Sequence, residues 1–185
     1  RGATPVRVRA PVAAFHLAGG MYAADAGEAA YAALQHHWGE RLAAAGSTWA
    51  AKWNQDAGTA GIGPEHHLVT SLLGIQPVAP GYEVLAIRPQ CSGLEHCAGR
   101  VLTPRGPVSV SWRSDTANGR FFVQAAVPAG GDTHLAAPRA GKRSPTISLN
   151  GETVWRNDKV YPNELVREII SEERDVTLVV HQPGE

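Results

Sequence analysis

The pattern of residues along this 185-residue chain changes sharply near residue 78. Before that point, alanine-rich segments repeat apolar residues at helical spacing; after Pro80, short alternating runs are separated by turn residues. One all-helical or all-β unit does not fit both halves. The sequence therefore predicts an α+β, multidomain chain, with helices over residues 1–77 and an antiparallel β-sandwich over residues 78–185.

Three helices are predicted before residue 78, in "PVAAFHLAGGMYAAD", "EAAYAALQHHWGERLAAAG" and "GPEHHLVTSLLGIQP". In the first, Gly19 and Gly20 either weaken the helix or allow a neighbour to pack closely. The third has Pro64 in its first turn and Gly74 near its end. In the second, one apolar stripe at four-residue spacing is formed by Ala30, Leu34, Trp38 and Leu42. We expect Trp38 in the core.

The predicted strands are "YEVLAIRP", "GPVSVSW", "GRFFVQAAVP", "THLAAP", "TISLNGETVW" and "DVTLVVHQ". Two Asn-Gly pairs, at 118–119 and 150–151, lie between β-prone runs and predict hairpins. We expect Trp112 and Trp155 in the sandwich core or at its interface. "NELVREIISEE" fits a short helix or a strand equally well.

Three alanine-striped helices over about 75 residues cannot easily bury their own apolar faces, because helix stability comes mainly from packing against neighbours. We therefore expect the remaining helices of a larger helical domain in another chain or in a longer precursor. The chain begins with Arg1 and shows no signal peptide, which a processed chain, a fragment or a trimmed sequence would explain.

The balance of charges argues against nucleic acids and membrane surfaces as partners. Lys plus Arg and Asp plus Glu both number 17, so the formal net charge is zero. A nucleic-acid or polybasic membrane-binding role would need a net basic face, and we expect neither partner. No run of apolar residues is long enough for a transmembrane helix.

The two cysteines, Cys91 and Cys97 in "CSGLEHC", have the spacing of a small disulfide-closed loop, whereas a zinc site would show a tighter pair and more ligands. A disulfide is the favoured prediction, and two reduced bystander thiols are the alternative. A disulfide would indicate an oxidising compartment and hence a secreted protein.

Several motifs, taken in order, resemble a known family: "YAALQHHWGERLAAAGSTWAAKW", "LLGIQPVAPGYEVLAIRPQ", "GRVLTPRGPVSVSW" and "VQAAVPAGGDTHLAAP". This order is similar to the C-terminal end of bacterial and fungal α-L-rhamnosidases of glycoside hydrolase family 78. The resemblance covers roughly residues 10–138. It implies that residues 1–77 supply the last helices of an (α/α)6 six-hairpin toroid and that a β-sandwich follows.

The family's inverting hydrolysis uses a carboxylic acid and a carboxylate base on opposite sides of an L-rhamnosyl residue. The resemblance implies that the acid lies upstream of this chain. The family's base glutamate aligns with Ala51 or, in another register, close to Lys52, and neither residue is an acid. Asp56 is the nearest carboxylate, so Asp56 and Lys52 are the candidate proton-transfer residues here.

Trp49 and Trp53, in "GSTWAAKWNQD", are candidate substrate-binding residues because flat indoles suit the C–H faces of sugars. The alternative is that they close the toroid against the sandwich, with each indole N–H bonded locally. Lys52 pairs either with a substrate carboxylate or with a protein carboxylate.

Two histidine pairs, 36–37 and 66–67, invite a metal interpretation, but adjacent helix residues point about 100° apart and do not make a two-ligand face. We therefore predict no metal and no other cofactor. His66 or His67, at the start of a helix, could transfer a proton, and His66 is the third candidate catalytic residue. Glu65 is a weaker candidate for the missing base.

The leading functional prediction is the C-terminal chain of an α-L-rhamnosidase-like glycoside hydrolase, whose partners are a rhamnosylated substrate and the segment that completes the barrel. One alternative is a lyase-like or biosynthetic enzyme on the same scaffold, since a fold does not determine a reaction. Another is a non-catalytic carbohydrate-binding module that uses Trp49 or Trp53.

Overall fold

The computed structural model describes residues 11–39, 63–138, 145–173 and 175–182. Its helical part consists of α1 (Pro11–Ala23), α2 (Gly27–Leu34) with a π-helical turn at Gln35–Gly39, and α3 (Gly63–His67) with a second π-helical turn at Leu68–Leu72. A 3-10 turn, Pro80–Tyr82, precedes the second strand. The strands are β1 (Ile75–Pro77), β2 (Val84–Ile87), β3 (His96–Thr103), β4 (Gly106–Asp115), β5 (Arg120–Ala126), β6 (Gly131–Pro138), β7 (Ile147–Leu149), β8 (Glu152–Arg156), β9 (Lys159–Val160), β10 (Val166–Ser171) and β11 (Asp175–Gln182).

These strands form three sheets. A five-stranded sheet has the order β1-β2-β6-β11-β10, and two three-stranded sheets have the orders β3-β4-β5 and β7-β8-β9. Among the described strands every pair is antiparallel except β2–β6, which is parallel. The prediction of a wholly antiparallel sandwich is therefore wrong at this pair. The reason is that β3, β4 and β5 lie in a different sheet, so the chain returns to the first sheet through a long crossover, which parallel pairing requires.

One face of the five-stranded sheet carries the sandwich core. Ile87, Leu135 and Leu178 are aligned across β2, β6 and β11. At the β2 side, this face packs in a buried cluster with Val108, Val110 and Trp112 of β4. At the β11 side, a second cluster joins it to the third sheet through Val154 and Trp155. The predicted β-sandwich and the burial of both tryptophans are confirmed.

The helices have a separate, alanine-lined cluster. Its buried members are Ala14, Ala18, Tyr22, Ala30, Leu34 and Trp38. The stripe predicted on the second helix is therefore confirmed at its three described positions, and Trp38 lies in the core. The helices alone do not define an (α/α)6 toroid, and their place in one stays a prediction.

A hydrogen bond and two glycines join the helical part to the sandwich. Trp112 Nε1 donates to the carbonyl oxygen of Leu72, at the end of the last helical turn, over 2.8 Å. Gly74 follows with φ +80°, a left-handed conformation that ends the helix before β1 begins. At Gly99 in β3, a Cβ would lie 2.5 Å from Leu73 Cδ1, so glycine allows this close packing.

Both predicted Asn-Gly hairpins are confirmed: Asn118-Gly119 joins β4 to β5, and Asn150-Gly151 joins β7 to β8. Asn150 and Gly151 both have positive φ, the requirement of a tight hairpin turn. The ambiguous segment "NELVREIISEE" contains β10, a strand. β3, in "HCAGRVLT", was not predicted, because its cysteine, glycine and arginine obscure the alternation that places its odd-numbered residues inward.

Candidate functional site

Four of the predicted site residues, Trp49, Lys52, Trp53 and Asp56, lie outside the described residues. Their proposed roles therefore stay predictions. His66 is the predicted catalytic residue that lies on a described helix, and its surroundings are built by α1 and α3.

His66 is exposed on α3. Its ring centroid lies 5.6 Å from that of Phe15 in α1 and 5.3 Å from that of His67. Its backbone carbonyl accepts a hydrogen bond from Thr70 Oγ1 over 2.7 Å, which fixes the backbone but leaves the imidazole accessible. The neighbouring Glu65 is also exposed. Both side chains are thus open to solvent, and no contact in the described residues assigns a proton-transfer role to either.

His67 has a structural position. Its side chain is 5% exposed, its ring stacks on Phe15 at 4.4 Å between centroids, and Nε2 lies 2.9 Å from the Phe15 carbonyl oxygen. Burial lowers the pKa of His67, and the hydrogen bond to the Phe15 carbonyl opposes this only in part. A Cβ on Gly19 would lie 3.1 Å from His67 Cε1, so this glycine permits the close packing of α1 and α3. His67 therefore packs between α1 and α3 and holds the two helices together, and its candidate role in proton transfer stays a prediction.

The predicted disulfide is not present, because Cys91 and Cys97 are free thiols. Both side chains pack against the cluster around Trp112, and burial raises the pKa of each thiol. Cys97 is aligned with Trp112 across β3 and β4, whereas Cys91 precedes the turn at Ser92-Gly93. The two behave as small apolar residues of the core, a common role of free cysteine. The prediction of secretion depended on the disulfide and loses that support.

The described ranges also bear on metal and membrane binding. Within them, no group of three or more His, Cys, Asp or Glu side chains is arranged to hold a metal ion. His36 and His37 have ring centroids 5.0 Å apart, and His37 lies beside Trp38. No helix in the described part of the chain has the length and apolarity needed to cross a membrane.

A polar cluster on the five-stranded sheet was not predicted. Asp132 Oδ1 lies 2.7 Å from His181 Nδ1 and 3.2 Å from an Arg167 guanidinium nitrogen, so β6, β10 and β11 each contribute one residue. The His181 hydrogen bond, reinforced by the Arg167 charge, lowers the pKa of Asp132. A carboxylate that orients an imidazole is also found in catalytic sites, but here the three side chains tie strands together. Asp132, Arg167 and His181 are too far apart in the sequence for the cluster to be predicted from it.

A small cleft adjoins Asp132. It is lined by Tyr82, Leu85, Thr103, Arg105, Val108, Val127, Pro128, Gly131, Asp132 and Thr133, and its volume of about 10 Å³ holds about one water molecule. The guanidinium of Arg105 donates to the carbonyl oxygens of Tyr82, Glu83 and Ala129 over 3.3, 3.1 and 2.9 Å. The cleft is too small for a sugar ring, and Arg105 serves to connect three loops.

Comparison with known proteins agrees with this architecture. Residues 74–152 match the family described as the bacterial alpha-L-rhamnosidase C-terminal domain. The solved α-L-rhamnosidase from Dictyoglumus thermophilum is similar in fold, with a TM-score of 0.51 and 14% sequence identity over 66% of this chain. The Streptomyces avermitilis α-L-rhamnosidase, solved with L-rhamnose, has a TM-score of 0.48 and 17% identity over 67% of this chain. No curated protein sequence matches the chain.

The chain corresponds to 13% and 10% of the lengths of those two solved rhamnosidases. At 14% identity the likeness to the Dictyoglumus thermophilum enzyme shows the fold alone. The family match begins at Gly74, where the helical part ends, and includes the strands from β1 to β7. The resemblance to the C-terminal portion of glycoside hydrolase family 78 is therefore confirmed, and it is carried by residues 74–152, which match the C-terminal domain of bacterial α-L-rhamnosidases.

Proposed function

We propose that this chain is the C-terminal part of an α-L-rhamnosidase-like glycoside hydrolase that acts on terminal α-L-rhamnosyl residues. The observation that carries the proposal is the family match at residues 74–152, directly after helices that are fixed to the sandwich by the Trp112–Leu72 hydrogen bond. In this proposal, the helices before Gly74 belong to an (α/α)6 barrel and the strands from β1 onward form the sandwich, because β1 pairs with β2 in the five-stranded sheet. The remaining barrel helices come from an upstream chain or precursor segment.

Within such an enzyme, Trp49 and Trp53 would line the sugar cleft. Asp56, Lys52 and His66 are the candidates for proton transfer, because Ala51 stands where the family's base glutamate is expected. The acid would come from the upstream segment. An inverting reaction needs two carboxyl groups far enough apart to hold a water molecule, so this chain would supply one side of the pair.

The absence of a carboxylate at Ala51 favours one alternative, a different proton-transfer reaction on the same scaffold. That reaction would leave rhamnosides intact but would still depend on Asp56, Lys52 or His66. A non-catalytic sugar-binding role would instead depend on Trp49 and Trp53 without any turnover.

The test is a turnover assay on protein purified from its natural source, combined with intact mass under native and denaturing conditions. We expect a second chain or a longer precursor, and release of L-rhamnose from an aryl α-L-rhamnoside but not of glucose from an aryl β-D-glucoside. Asp56→Asn should lower kcat by about 100-fold or more if Asp56 is the base, whereas Glu164→Gln, an exposed residue near β10, serves as the charge control. A partnered protein without rhamnose release would favour the alternative reaction or the binding role.

A further inference from the structure

The outward face of the β3-β4-β5 sheet presents an aromatic ring among arginines. Strand alternation directs the apolar residues of β4, Val108, Val110 and Trp112, inward, so the odd-numbered residues of β4 and the even-numbered residues of β3 and β5 point outward. We call this surface the arginine face. Its charged, aromatic and amide members are His96, Arg100, Arg113, Asp115, Arg120, Phe122 and Gln124.

Phe122 lies within this face and is 46% exposed. The pairing of the strands places it directly opposite Arg113, and Arg113 is in turn opposite His96. The Arg113 guanidinium carbon lies 5.1 Å from the Phe122 ring centroid. This cation–π contact holds the guanidinium over the ring and keeps the two groups adjacent.

The next row along the strands is polar. Ser111 is opposite Ala98 on one side and Gln124 on the other, at about 7 Å from the Arg113–Phe122 row. A further row contains Arg100, opposite Ser109. The face therefore combines the Phe122 ring, hydrogen-bonding side chains that include Ser111 and Gln124, and guanidinium groups.

The charge of this face differs from that of the whole chain. The face carries three arginines and one carboxylate, although the chain as a whole is neutral. The arginines are Arg100, Arg113 and Arg120, and the carboxylate is Asp115. Asn118 donates to Asp115 through its side-chain and backbone nitrogens, over 2.9 and 3.1 Å, and these bonds lower the Asp115 pKa. Asp115 therefore stays ionised and offsets only one of the three arginines, which leaves an excess of positive charge on the face.

We propose that the arginine face binds an anionic carbohydrate, a polysaccharide whose sugars carry carboxylates. The C–H side of a sugar ring packs on the part of the Phe122 ring that Arg113 leaves exposed, the outer edge of the Arg113 guanidinium pairs with a carboxylate, and Ser111 and Gln124 bond hydroxyl groups. A planar guanidinium suits carboxylates because it can donate two parallel hydrogen bonds. The choice of a glycan over other anions rests on the function proposed above. The face would hold the polymer to which the rhamnosyl residues are attached.

The experiment measures the affinity of the chain for polygalacturonate and for neutral dextran of similar length, at low and high salt. We expect tighter binding to polygalacturonate, and weaker binding as salt screens the charges. Phe122→Ala and Arg113→Gln should each weaken the affinity by about fivefold or more, the change that corresponds to one lost contact of this kind. The matched controls are Tyr161→Ala, whose ring is 42% exposed, and Arg156→Gln, which is also exposed.

Equal affinity for dextran, equal affinity for a single-stranded oligonucleotide, equal losses in the controls or no binding by the unmodified chain would each overturn the proposal. Because the four substituted side chains are exposed, their melting temperatures should match that of the parent chain and thus verify folding. The outcome is independent of rhamnose release. Binding of polygalacturonate without rhamnose release would contradict the proposed function but support a binding site for anionic carbohydrate. Rhamnose release without polygalacturonate binding would support the proposed function and contradict the binding site.

Discussion

At the scale of single residues, Gly74 is constrained by backbone atoms. It has φ +80°, and a Cβ at this position would lie 2.3 Å from the carbonyl carbon of Arg88 and 2.4 Å from the nitrogen of Pro89. These atoms belong to the chain after β2 and cannot rotate away. We expect Gly74→Ala to lower the free energy of unfolding by about 3 kcal/mol or more, as measured by urea denaturation.

Gly151 provides the matched control, since it has φ +88° but no heavy atom lies within 4 Å of the position that a Cβ would take. Gly151→Ala should therefore cost only the left-handed backbone penalty of about 1–2 kcal/mol. Equal losses for the two substitutions would show that the packing of Gly74 against Arg88 and Pro89 is wrong.

The indole of Trp112 offers a second test at this scale. Its N–H is buried and donates to the Leu72 carbonyl oxygen, so Trp112→Phe leaves a carbonyl at the helix end without this donor. We expect a loss in the free energy of unfolding that exceeds the loss for Trp155→Phe by about 1–2 kcal/mol. Trp155 is the control because its buried Nε1 finds no hydrogen-bond partner in the described part of the chain. A larger loss for Trp155→Phe would contradict the assigned bond.

At the scale of elements, the sequence predicted the helices and turns that depend on local periodicity. It did not predict the features that depend on contacts between distant segments. The stripe of Ala30, Leu34 and Trp38 and the two Asn-Gly hairpins were predictable because they depend on local spacing and turn chemistry. The parallel pairing of β2 with β6 was not predictable, because the intervening strands β3, β4 and β5 form a separate sheet before the chain returns to the first one. The prediction of a disulfide was wrong. The spacing of two cysteines in a sequence does not reveal whether the side chains bond to each other or pack separately against a core as free thiols.

The packing of α1 against α3 should depend on pH through His67. Because the pKa of His67 is lowered in the folded protein, protonation favours the unfolded chain. Its contribution to stability is fully present above the ordinary histidine pKa of about 6.5 and is lost as the pH falls below that value towards the lower folded pKa. We expect the free energy of unfolding to decrease between pH 7.5 and pH 5, as measured by urea denaturation at each pH.

His67→Gln should make this decrease smaller, since glutamine can donate to the Phe15 carbonyl but does not titrate in this range. His66→Gln is the control, because His66 is the exposed neighbour on the same helix. An unchanged pH dependence in His67→Gln would contradict the buried, neutral state of His67.

At the scale of the whole molecule, the sequence predicted the two-part architecture more fully than the site. The change of pattern near residue 78 depends on periodicity alone. The described helices precede the described strands, but the first strand begins at Ile75, inside the segment that was predicted to be the third helix, because Gly74 ends that helix. The clusters around Asp132 and Arg113 each bring together residues from three strands, so only the strand register reveals them. For Trp49, Lys52, Trp53 and Asp56, the sequence and the family resemblance remain the basis of the assignment.

The unequal cores of the two parts predict unequal protection in hydrogen exchange. Among the described residues, three of the six buried members of the helical cluster are alanines, whereas the sandwich buries Ile75, Ile87, Val108, Leu178 and other large side chains between sheets. Alanine contributes little apolar area, and local opening is easiest where few large side chains are buried. We expect the amides of β4, β6 and β11 to exchange more slowly than those of α1 by about 10-fold or more.

Addition of the upstream barrel segment should then slow exchange in α1 and leave β11 unchanged. If α1 in the isolated chain were protected as strongly as β11, the helices would be complete without a partner, and the proposed split of the barrel would be wrong.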